Sequence, residues 1–201
     1  MTLSYDEISR SPFVLACIVV IVLSNSQVAA QSREPDYRDV VYGTVNGRDL
    51  LLDVYLPDSV DVPSLIVWVH GGAWRGGSKE RVPGVLVEKG FALASLDFRL
   101  STEAQFPAQV HDIKAAIRFL RGERSRFGFQ TDRIAIAGAS SGGHLAALVG
   151  ITNGHPALEG TIGDHLDESS HVQAIVSYYG ASNLTTILSQ STPHGLRVRK
   201  P

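Results

Sequence analysis

Cysteine is almost missing from this sequence: Cys17 is the only one among 201 residues. It lies in an apolar run near the N-terminus, which is predicted below to be part of a cleaved segment. A mature chain without that segment could form no disulfide bond and could offer no thiol as a nucleophile. The scarcity of cysteine therefore excludes a disulfide-stabilised fold and thiol-based catalysis for the mature chain.

The sequence also lacks an excess of charge of either sign. Lys and Arg number 18, Asp and Glu number 20, and the pI is near 6.4. This balance gives no electrostatic basis for nucleic-acid binding. The short basic stretch Arg197 to Lys200 is interpreted as a solvated end. Apolar residues make up 44% of the chain, which is enough to bury the core of a single domain.

No apolar run in the sequence is long enough to span a bilayer, so no stable membrane span is predicted. Phe13 to Leu23 has the length of a signal-peptide core, and the small residues at Val28-x-Ala30 fit a signal-peptidase site. We predict a signal peptide over 1–30, a linker over 31–39 and a secreted or periplasmic protein.

Three alternatives to a cleaved signal peptide stay open. Asp6 and Glu7 beside Arg10 leave the segment before the apolar run without a clear positive charge. An uncleaved anchor or a mis-assigned start codon would account for this departure. Lipidation of Cys17 is a minor alternative, because apolar residues continue beyond the cysteine.

A serine motif between two apolar runs indicates nucleophilic catalysis. Gly138-Ala139-Ser140-Ser141-Gly142 follows the apolar run Ile134 to Ala137 and precedes a run, His144 to Val149, that is typical of a buried helix. A strand, a sharp turn and a helix are the context of a nucleophile elbow, whose strained turn lifts the serine hydroxyl out of the sheet. A glycine-rich turn of this kind could also be a phosphate cradle, so the motif alone is weak.

A second motif strengthens the interpretation as a hydrolase. His70-Gly71-Gly72-Ala73-Trp74 directly follows the apolar strand Leu65 to Val69. Acyl-transfer hydrolases need backbone N–H groups that face the oxyanion, and a His-Gly-Gly loop after an early strand is one source of them. Both motifs follow predicted strands, and the active sites of parallel sheets lie at the carboxyl ends of their strands.

The order of predicted elements indicates an α/β fold. Two strands joined by Asn46-Gly47 predict an antiparallel hairpin, and the elements after it alternate between strand and helix. Such alternation predicts a mostly parallel sheet covered on both faces, a three-layer domain over 40–201. On the helix that follows Pro107, we expect Lys114, Arg118 and Arg121 to lie away from the apolar face. The predicted elements are strands at 40–45, 50–56, 65–69, 91–96, 134–137 and 172–178, and helices at 79–89, after Pro107 and from His144.

The chain resembles the α/β-hydrolase superfamily, and within it the carboxylesterase, lipase and feruloyl-esterase-like (BD-FAE-like) group. The resemblance covers roughly residues 38–190. Besides the two motifs above, it is carried by Leu96-Asp-Phe-Arg-Leu-Ser101, Phe106-Pro-Ala-Gln109, Asp112-Ile-Lys-Ala-Ala-Ile-Arg118, Asp132-Arg-Ile-Ala135 and Val172-Gln-Ala-Ile-Val-Ser-Tyr-Tyr-Gly180.

The resemblance implies a serine esterase that needs no cofactor and no metal. Ser140 would be the nucleophile, and the backbone N–H groups of Gly72, Ala73 and Ser141 would form the oxyanion hole. Ala73 stands where many relatives have a third glycine, which is acceptable if its backbone angles are ordinary. Trp74 would line a substrate pocket. The substrate would be a small-molecule ester, with acetyl and feruloyl esters of carbohydrates among the substrates of the group.

The chain departs from this family in one respect. The catalytic triad of the superfamily runs Ser, Asp or Glu, and then His along the chain, and the last two follow later strands. The 201-residue chain leaves 61 residues after Ser140, which a loop, one strand and a short helix use up. We therefore expect a C-terminally truncated hydrolase domain without the usual acid and histidine. The alternative is a non-catalytic, degenerate hydrolase fold.

Other histidines and acids are expected to be structural. In relatives, the residue matching His70 holds the oxyanion loop and the position of Asp97 is structural. His144 would pack behind the site, and His194 lies too near the end to be held as a base. Trp68 is expected in the core. Solvated charges are expected, rather than metal ligands, in the segment that holds Asp164, His165, Asp167, Glu168 and His171.

Overall fold

The computed structural model describes residues 33–187 and 189 of the chain. The predicted signal peptide and His194 lie outside these residues, so both stay predictions. All of the described helices and strands belong to one compact unit, Glu34–Pro201. In the described part, no helix is long and apolar enough to cross a membrane.

Within the described residues, six strands form one sheet in the order β1-β2-β4-β3-β5-β6. The pairs β1–β2 and β2–β4 are antiparallel, whereas β4–β3, β3–β5 and β5–β6 are parallel. This confirms the predicted α/β class, with an antiparallel hairpin before a mostly parallel sheet. The strands are β1 (Tyr37–Val45), β2 (Arg48–Tyr55), β3 (Ser64–Val69), β4 (Ala92–Leu96), β5 (Gln130–Ala139) and β6 (Ala174–Tyr178).

The hairpin forms at the predicted turn. Asn46 and Gly47 both have positive φ, 51° and 79°, as a two-residue type I′ turn requires. The first strand begins at Tyr37, three residues inside the predicted linker over 31–39, so that boundary was wrong. The ring of Tyr37 packs edge-on against the ring of Phe127, with the ring centroids 5.0 Å apart. This contact holds the start of the strand against the domain.

In the part of the chain that the structure describes, five helices accompany the sheet: α1 (Val85–Glu88), α2 (Ala108–Gly122), α3 (Arg124–Phe127), α4 (Ser141–Ile151) and α5 (Pro156–Glu159). The main core lies between the sheet and the two long helices, α2 and α4. A smaller cluster on the other face includes Tyr55, Trp68 and Val87. Trp68 is 8% exposed, so its predicted place in the core is confirmed.

The predicted helix over 79–89 is wrong in its extent, because only Val85–Glu88 is helical. Lys79 lies outside the helix and forms two ion pairs. Its ammonium lies 2.8 Å from an Asp39 carboxylate oxygen and 2.9 Å from an Asp53 carboxylate oxygen. Its backbone N–H also donates to Asp97 at 2.8 Å. Pro83 further prevents a helix from running through this segment.

Lys114 and Arg118, which we expected to lie away from the apolar face of α2, are both buried. The Lys114 side chain is fully buried and donates to Glu159 Oε1 at 2.6 Å and to the Thr152 carbonyl at 2.5 Å. Arg118 is 4% exposed and donates to the Glu159 and Ile162 carbonyls. The segment after α4, which the sequence presents as a loop, crosses this face of α2 and excludes water from it.

Candidate active site

The serine motif forms the predicted sharp turn between β5 and α4. Ser140 lies between the last strand residue, Ala139, and the first helix residue, Ser141, and has φ 55° and ψ −121°. A positive φ is rare for a residue with a side chain, and it persists only where the surroundings enforce it. Here the Ser140 N–H donates to the Tyr178 carbonyl of β6 at 2.9 Å. The serine side chain is exposed at the carboxyl edge of the sheet.

The glycines on either side of Ser140 are required by close packing. A methyl group added to Gly142 would collide with the carbonyl oxygens of Val69 and His70, at the end of β3. One added to Gly138 would collide with the Gly142 carbonyl. The elbow therefore presses directly on the strand that leads into the His-Gly-Gly loop, which explains why the two motifs meet.

The His-Gly-Gly loop reverses direction through three successive residues of positive φ. Gly72 has φ 136°, Ala73 54° and Trp74 60°. The Gly72 carbonyl accepts hydrogen bonds from the N–H groups of Arg75 and Gly76, both at 3.0 Å, and these close the turn. The condition of ordinary backbone angles at Ala73 is not met, because this turn places an alanine where glycine is favoured.

Ser140 lies where two clefts meet beside this loop. A cleft of about 400 Å³ is lined by Ala73, Trp74, Ser140 and Ser141, and by residues after β6. A second cleft of about 630 Å³ is lined by His70, Gly71, Gly72 and Ser140, among others. A methyl group added to Gly71 would lie 3.3 Å from the Ser140 Cβ, so the loop backbone and the serine are neighbours.

The arrangement presents backbone donors that are free to bind a negative oxygen. Within residues 33–187, no hydrogen-bond acceptor is recorded for the N–H groups of Gly72 and Ala73. Ser141 is the first residue of α4, and an N–H at that position has no acceptor within its helix. The helix N-terminus adds partial positive charge. The Ser141 hydroxyl is also buried, with no partner in the described part of the chain.

His70 and Asp97 lie beneath the loop. His70 is 3% exposed, its Nδ1 lies 2.8 Å from the Gly71 carbonyl oxygen, and its ring stacks on Phe98 at 4.6 Å. Its Nε2 lies 3.9 Å from Asp97, whose carboxylate accepts the Lys79 N–H. These contacts hold the loop in shape, in line with the structural roles expected for both residues.

His144, one turn along α4 from Ser140, lies beside Trp74. The Trp74 indole N–H donates to His144 Nδ1 at 3.3 Å, and the two rings are nearly perpendicular, with centroids 5.5 Å apart. Burial lowers the pKa of His144, which favours the neutral ring that this hydrogen bond needs.

No histidine hydrogen-bonds to the Ser140 hydroxyl within residues 33–187. In the same range, no three His, Cys, Asp or Glu side chains converge as metal ligands. His165 instead lies 3.3 Å from Glu123, and Glu168 lies 3.5 Å from Arg124. These two pairs connect the segment after α4 to the residues around the start of α3, so His165 and Glu168 have a structural role.

A buried ion pair supports the site and was given no role from the sequence. Arg99 donates through its guanidinium and its backbone N–H to Asp112, a fully buried residue of α2, at 2.7 to 3.1 Å. Two residues further on, the Ser101 N–H donates to the Trp74 carbonyl at 2.8 Å. The signal that could have revealed this pair is the placement of Asp112 between Val110 and Ile113 on the apolar face of α2.

Comparison with known proteins gives a consistent set of relatives. A family model described as BD-FAE matches residues 52–200. Esterase LipC of Mycobacterium tuberculosis is 34% identical over 151 residues, which cover 71% of this chain and 36% of LipC. The chain therefore spans only about a third of that relative's length.

Solved structures agree in fold. A truncated carbohydrate esterase from gut microbiota is 33% identical, with a TM-score of 0.68 over 76% of this chain and 59% of that chain. Esterase Est2 of Thermogutta terrifontis, solved with propionate bound, is 29% identical, with a TM-score of 0.65 over 82% of this chain and 62% of that chain.

Proposed function

We propose that this chain, which belongs to the BD-FAE family of α/β-hydrolase esterases, carries the nucleophile and the oxyanion hole of a carboxylic ester hydrolase. The observation that carries the proposal is the position of Ser140. It has a strained backbone and an exposed side chain, and it lies at the carboxyl edge of the sheet beside unpaired N–H groups. An ester carbonyl placed there would meet a hydroxyl on one side and N–H donors on the other.

The proposed reaction begins when Ser140 Oγ attacks the carbonyl carbon of the ester. The carbonyl oxygen becomes an oxyanion that accepts hydrogen bonds from the N–H groups of Gly72, Ala73 and Ser141. Collapse of this intermediate expels the alcohol, which takes up a proton, and leaves an acyl group on Ser140. Attack by water then releases the carboxylic acid. Donors arranged in advance for an oxyanion contribute about 10² to 10³ in rate each.

The base that removes the Ser140 proton is proposed to lie outside the described residues. His70 is committed to the Gly71 carbonyl and His144 to the Trp74 indole. In the superfamily pattern, the acid and the histidine follow strands later than the one that corresponds to β6. A serine hydroxyl without a base is a weak nucleophile. Loss of a triad member typically lowers turnover by about 10⁴-fold or more, so activity depends on a base reaching Ser140 from outside the described residues.

The relatives support a small ester as the proposed substrate. Est2 was solved with propionate, and another relative is described as a carbohydrate esterase. For this chain we propose an ester of a small carboxylic acid, with acetyl esters of carbohydrates as one candidate class.

Hydrolysis of p-nitrophenyl acetate by the 201-residue chain, Ser140→Ala and Ser59→Ala tests the proposal. Ser59 lies in an exposed turn, so its variant controls for the loss of any serine hydroxyl. We expect slow hydrolysis above the rate in buffer, lost in Ser140→Ala and kept in Ser59→Ala. Equal rates in all three proteins would overturn the assignment of Ser140.

A further inference from the structure

His144 connects the two halves of the candidate site. Its backbone N–H donates to the Ser140 carbonyl at 3.1 Å, in the first turn of α4. Its ring accepts a hydrogen bond from the Trp74 indole, with 3.3 Å between the indole nitrogen and Nδ1. The same residue is therefore bonded to the nucleophile elbow through its backbone and to the His-Gly-Gly loop through its side chain.

The hydrogen bond with Trp74 requires a neutral His144 ring. An indole N–H can only donate, so Nδ1 must accept and the ring proton must lie on Nε2. The described side chains around the cavity beside this ring carry no charge; they include Trp74, Ser101, Phe106, Gln109, Leu148 and Leu184. Burial, rather than a neighbouring charge, lowers the pKa of His144. The ring is therefore neutral at neutral pH, as an acceptor must be.

Trp74 lies where the His-Gly-Gly loop needs support. Its φ of 60° directly follows the φ of 54° at Ala73, and such conformations persist only where the surroundings enforce them. Hydrogen bonds close the turn at the Gly72 carbonyl, and the Trp74 carbonyl accepts the Ser101 N–H at 2.8 Å. The bond from the indole to His144 ties this turn to α4, the helix that begins after the nucleophile. It therefore fixes the turn relative to the serine.

We propose that His144 is a positioning residue, whose ring holds Trp74 and thereby keeps the backbone donors of the His-Gly-Gly loop directed at the ester carbonyl. These donors are the N–H groups of Gly72 and Ala73. The proposal rests on the proposed function, since the donors act only if Ser140 attacks an ester. The opposing view is that His144 only fills space beside the indole, and then a side chain without an acceptor would serve equally well.

Nuclear magnetic resonance tests the first step without any turnover. The chain has two tryptophans, Trp68 and Trp74, so its spectrum has two indole N–H signals. The Trp68 indole donates to the Arg81 carbonyl and serves as the internal reference. Acidification charges His144, and a charged ring has an N–H at both nitrogens and cannot accept. We expect the Trp74 indole signal to move with a midpoint below pH 6.5 and the Trp68 signal to stay.

The backbone N–H signals of Gly72 and Ala73 test the second step. If the indole positions the loop, both should move with the midpoint of the Trp74 indole signal. His70 also hydrogen-bonds within this loop, so the titration is repeated in His144→Asn to identify any movement that His70 causes. The Asn side chain can accept the indole N–H but does not titrate. We therefore expect the shared movement to be absent from this variant.

His144→Asn and His144→Leu form a matched pair for the effect on Ser140. The two new side chains are similar in size, but Asn can accept the indole N–H and Leu cannot. The measurement is the rate at which p-nitrophenyl acetate acetylates Ser140, followed by mass spectrometry. Because loss of an oxyanion donor typically costs about 10² to 10³, and a displaced donor costs less, we expect His144→Leu to be about 10-fold slower and His144→Asn to stay within about threefold of the unmodified chain. The ester concentration that gives half of the maximal rate should change little.

His155→Leu is the control for this pair. It makes the same substitution at an exposed histidine that follows α4, so it should acetylate at the rate of the unmodified chain. Thermal unfolding would show whether each variant folds. If His144→Leu does not fold, Trp74→Phe replaces it, because it removes the donor and keeps an aromatic ring, and the same slowing is expected.

The outcomes separate the two proposals. An indole that titrates while the N–H signals of Gly72 and Ala73 stay, or equal acetylation rates in the two His144 variants, would overturn the positioning role. Loop signals that follow the titration of His144, together with no acetylation of Ser140 in any of the proteins, would overturn the proposed function and leave the hold of His144 on the loop intact.

Discussion

At the residue scale, the site depends on backbone conformations that side chains rarely adopt. Ser140, Ala73 and Trp74 all have φ between 54° and 60°. For a residue with a Cβ, such a conformation costs about 1 to 2 kcal/mol. Tight packing of the elbow on the end of β3 and the hydrogen bonds of the Gly72 turn maintain them. Strain of this kind is typical of sites where geometry matters more than local stability.

Ala73→Gly should relieve part of this strain. Glycine costs about 0.5 to 1 kcal/mol more than alanine in ordinary folded conformations, through its greater freedom in the unfolded chain. At φ 54° the relief is of similar or larger size, so we expect a change in the free energy of unfolding between zero and about 1 kcal/mol of stabilisation. Urea denaturation of both proteins measures this change in the free energy of unfolding.

The control for Ala73→Gly is Ala157→Gly, at an exposed alanine of the short helix α5. This substitution relieves no strain, so it should destabilise the protein by about 0.5 to 1 kcal/mol. Equal destabilisation by the two variants would contradict the positive φ at Ala73.

His144 should make stability depend on pH just below neutrality. Burial lowers its pKa below the ordinary value of 6.5, so the unfolded chain binds its proton more readily than the folded chain. The contribution is fully present above pH 6.5 and is lost as the pH falls towards the lower folded value. We expect the urea midpoint to drop from pH 7.5 to pH 5 by more in the unmodified chain than in His144→Gln. An equal or smaller drop in the unmodified chain would show that the folded protein does not disfavour the charged ring.

At the element scale, local signals predicted some elements and not others. The Asn46-Gly47 hairpin and the Ser140 elbow were predicted correctly because their conformations are set by neighbouring glycines and apolar runs. The burial of Lys114 and the short helix at Val85–Glu88 were not predicted, because both depend on residues that are distant in the sequence. Lys114 meets Glu159 and Lys79 meets Asp53 only after the chain has folded, and spacing alone does not show such pairs.

Glu159 should stabilise the packing of α2 more than its position in a surface segment suggests. It accepts a hydrogen bond from the fully buried Lys114, and Arg118 lies 3.5 Å away. Glu159→Gln would leave a buried cation without its counterion, which typically costs 3 to 5 kcal/mol. Because the Glu159 side chain is 27% exposed, we expect the lower end, about 3 kcal/mol, in urea unfolding.

Glu168→Gln is the matched control for Glu159→Gln. Glu168 lies 3.5 Å from Arg124, whose side chain is 51% exposed, and exposed pairs contribute about 1 kcal/mol or less. If both substitutions cost the same, the buried pair does not stabilise α2 in the way described.

At the scale of the whole molecule, the parallel strands bring two distant motifs to one edge. The end of β3 supplies the His-Gly-Gly loop, the end of β5 supplies Ser140, and the end of β6 holds the serine backbone. The family relationship could be predicted from motifs, and the mostly parallel sheet after an antiparallel hairpin could be predicted from the order of elements along the chain. The ion pair of Arg99 with Asp112, which connects α2 to the loop, could not, because it joins segments through side chains alone.

The outer strand β6 should promote self-association. Within the described residues it pairs only with β5, and Ile175, Val176 and Tyr178 are 40 to 42% exposed. An apolar edge strand is a template for pairing with another chain. We expect Val176→Lys to reduce concentration-dependent association in sedimentation measurements. Val62→Lys, at a loop valine that is 57% exposed, should not. Equal effects would show that general surface polarity, rather than the strand edge, controls association.

The central claim is that Ser140 is the nucleophile of an ester hydrolase, and the most direct measurement is the location of its acyl group. The 201-residue chain would be incubated with p-nitrophenyl acetate, quenched in acid, digested and mapped by mass spectrometry. Within residues 33–187 no histidine lies beside Ser140 to activate water, so deacylation should be slow and the acetyl group should accumulate on Ser140. The account predicts one acetyl group on the peptide that contains Ser140, and none on that peptide in Ser140→Ala. Acetylation at another residue with Ser140 unmodified, while p-nitrophenol is still released, would contradict it.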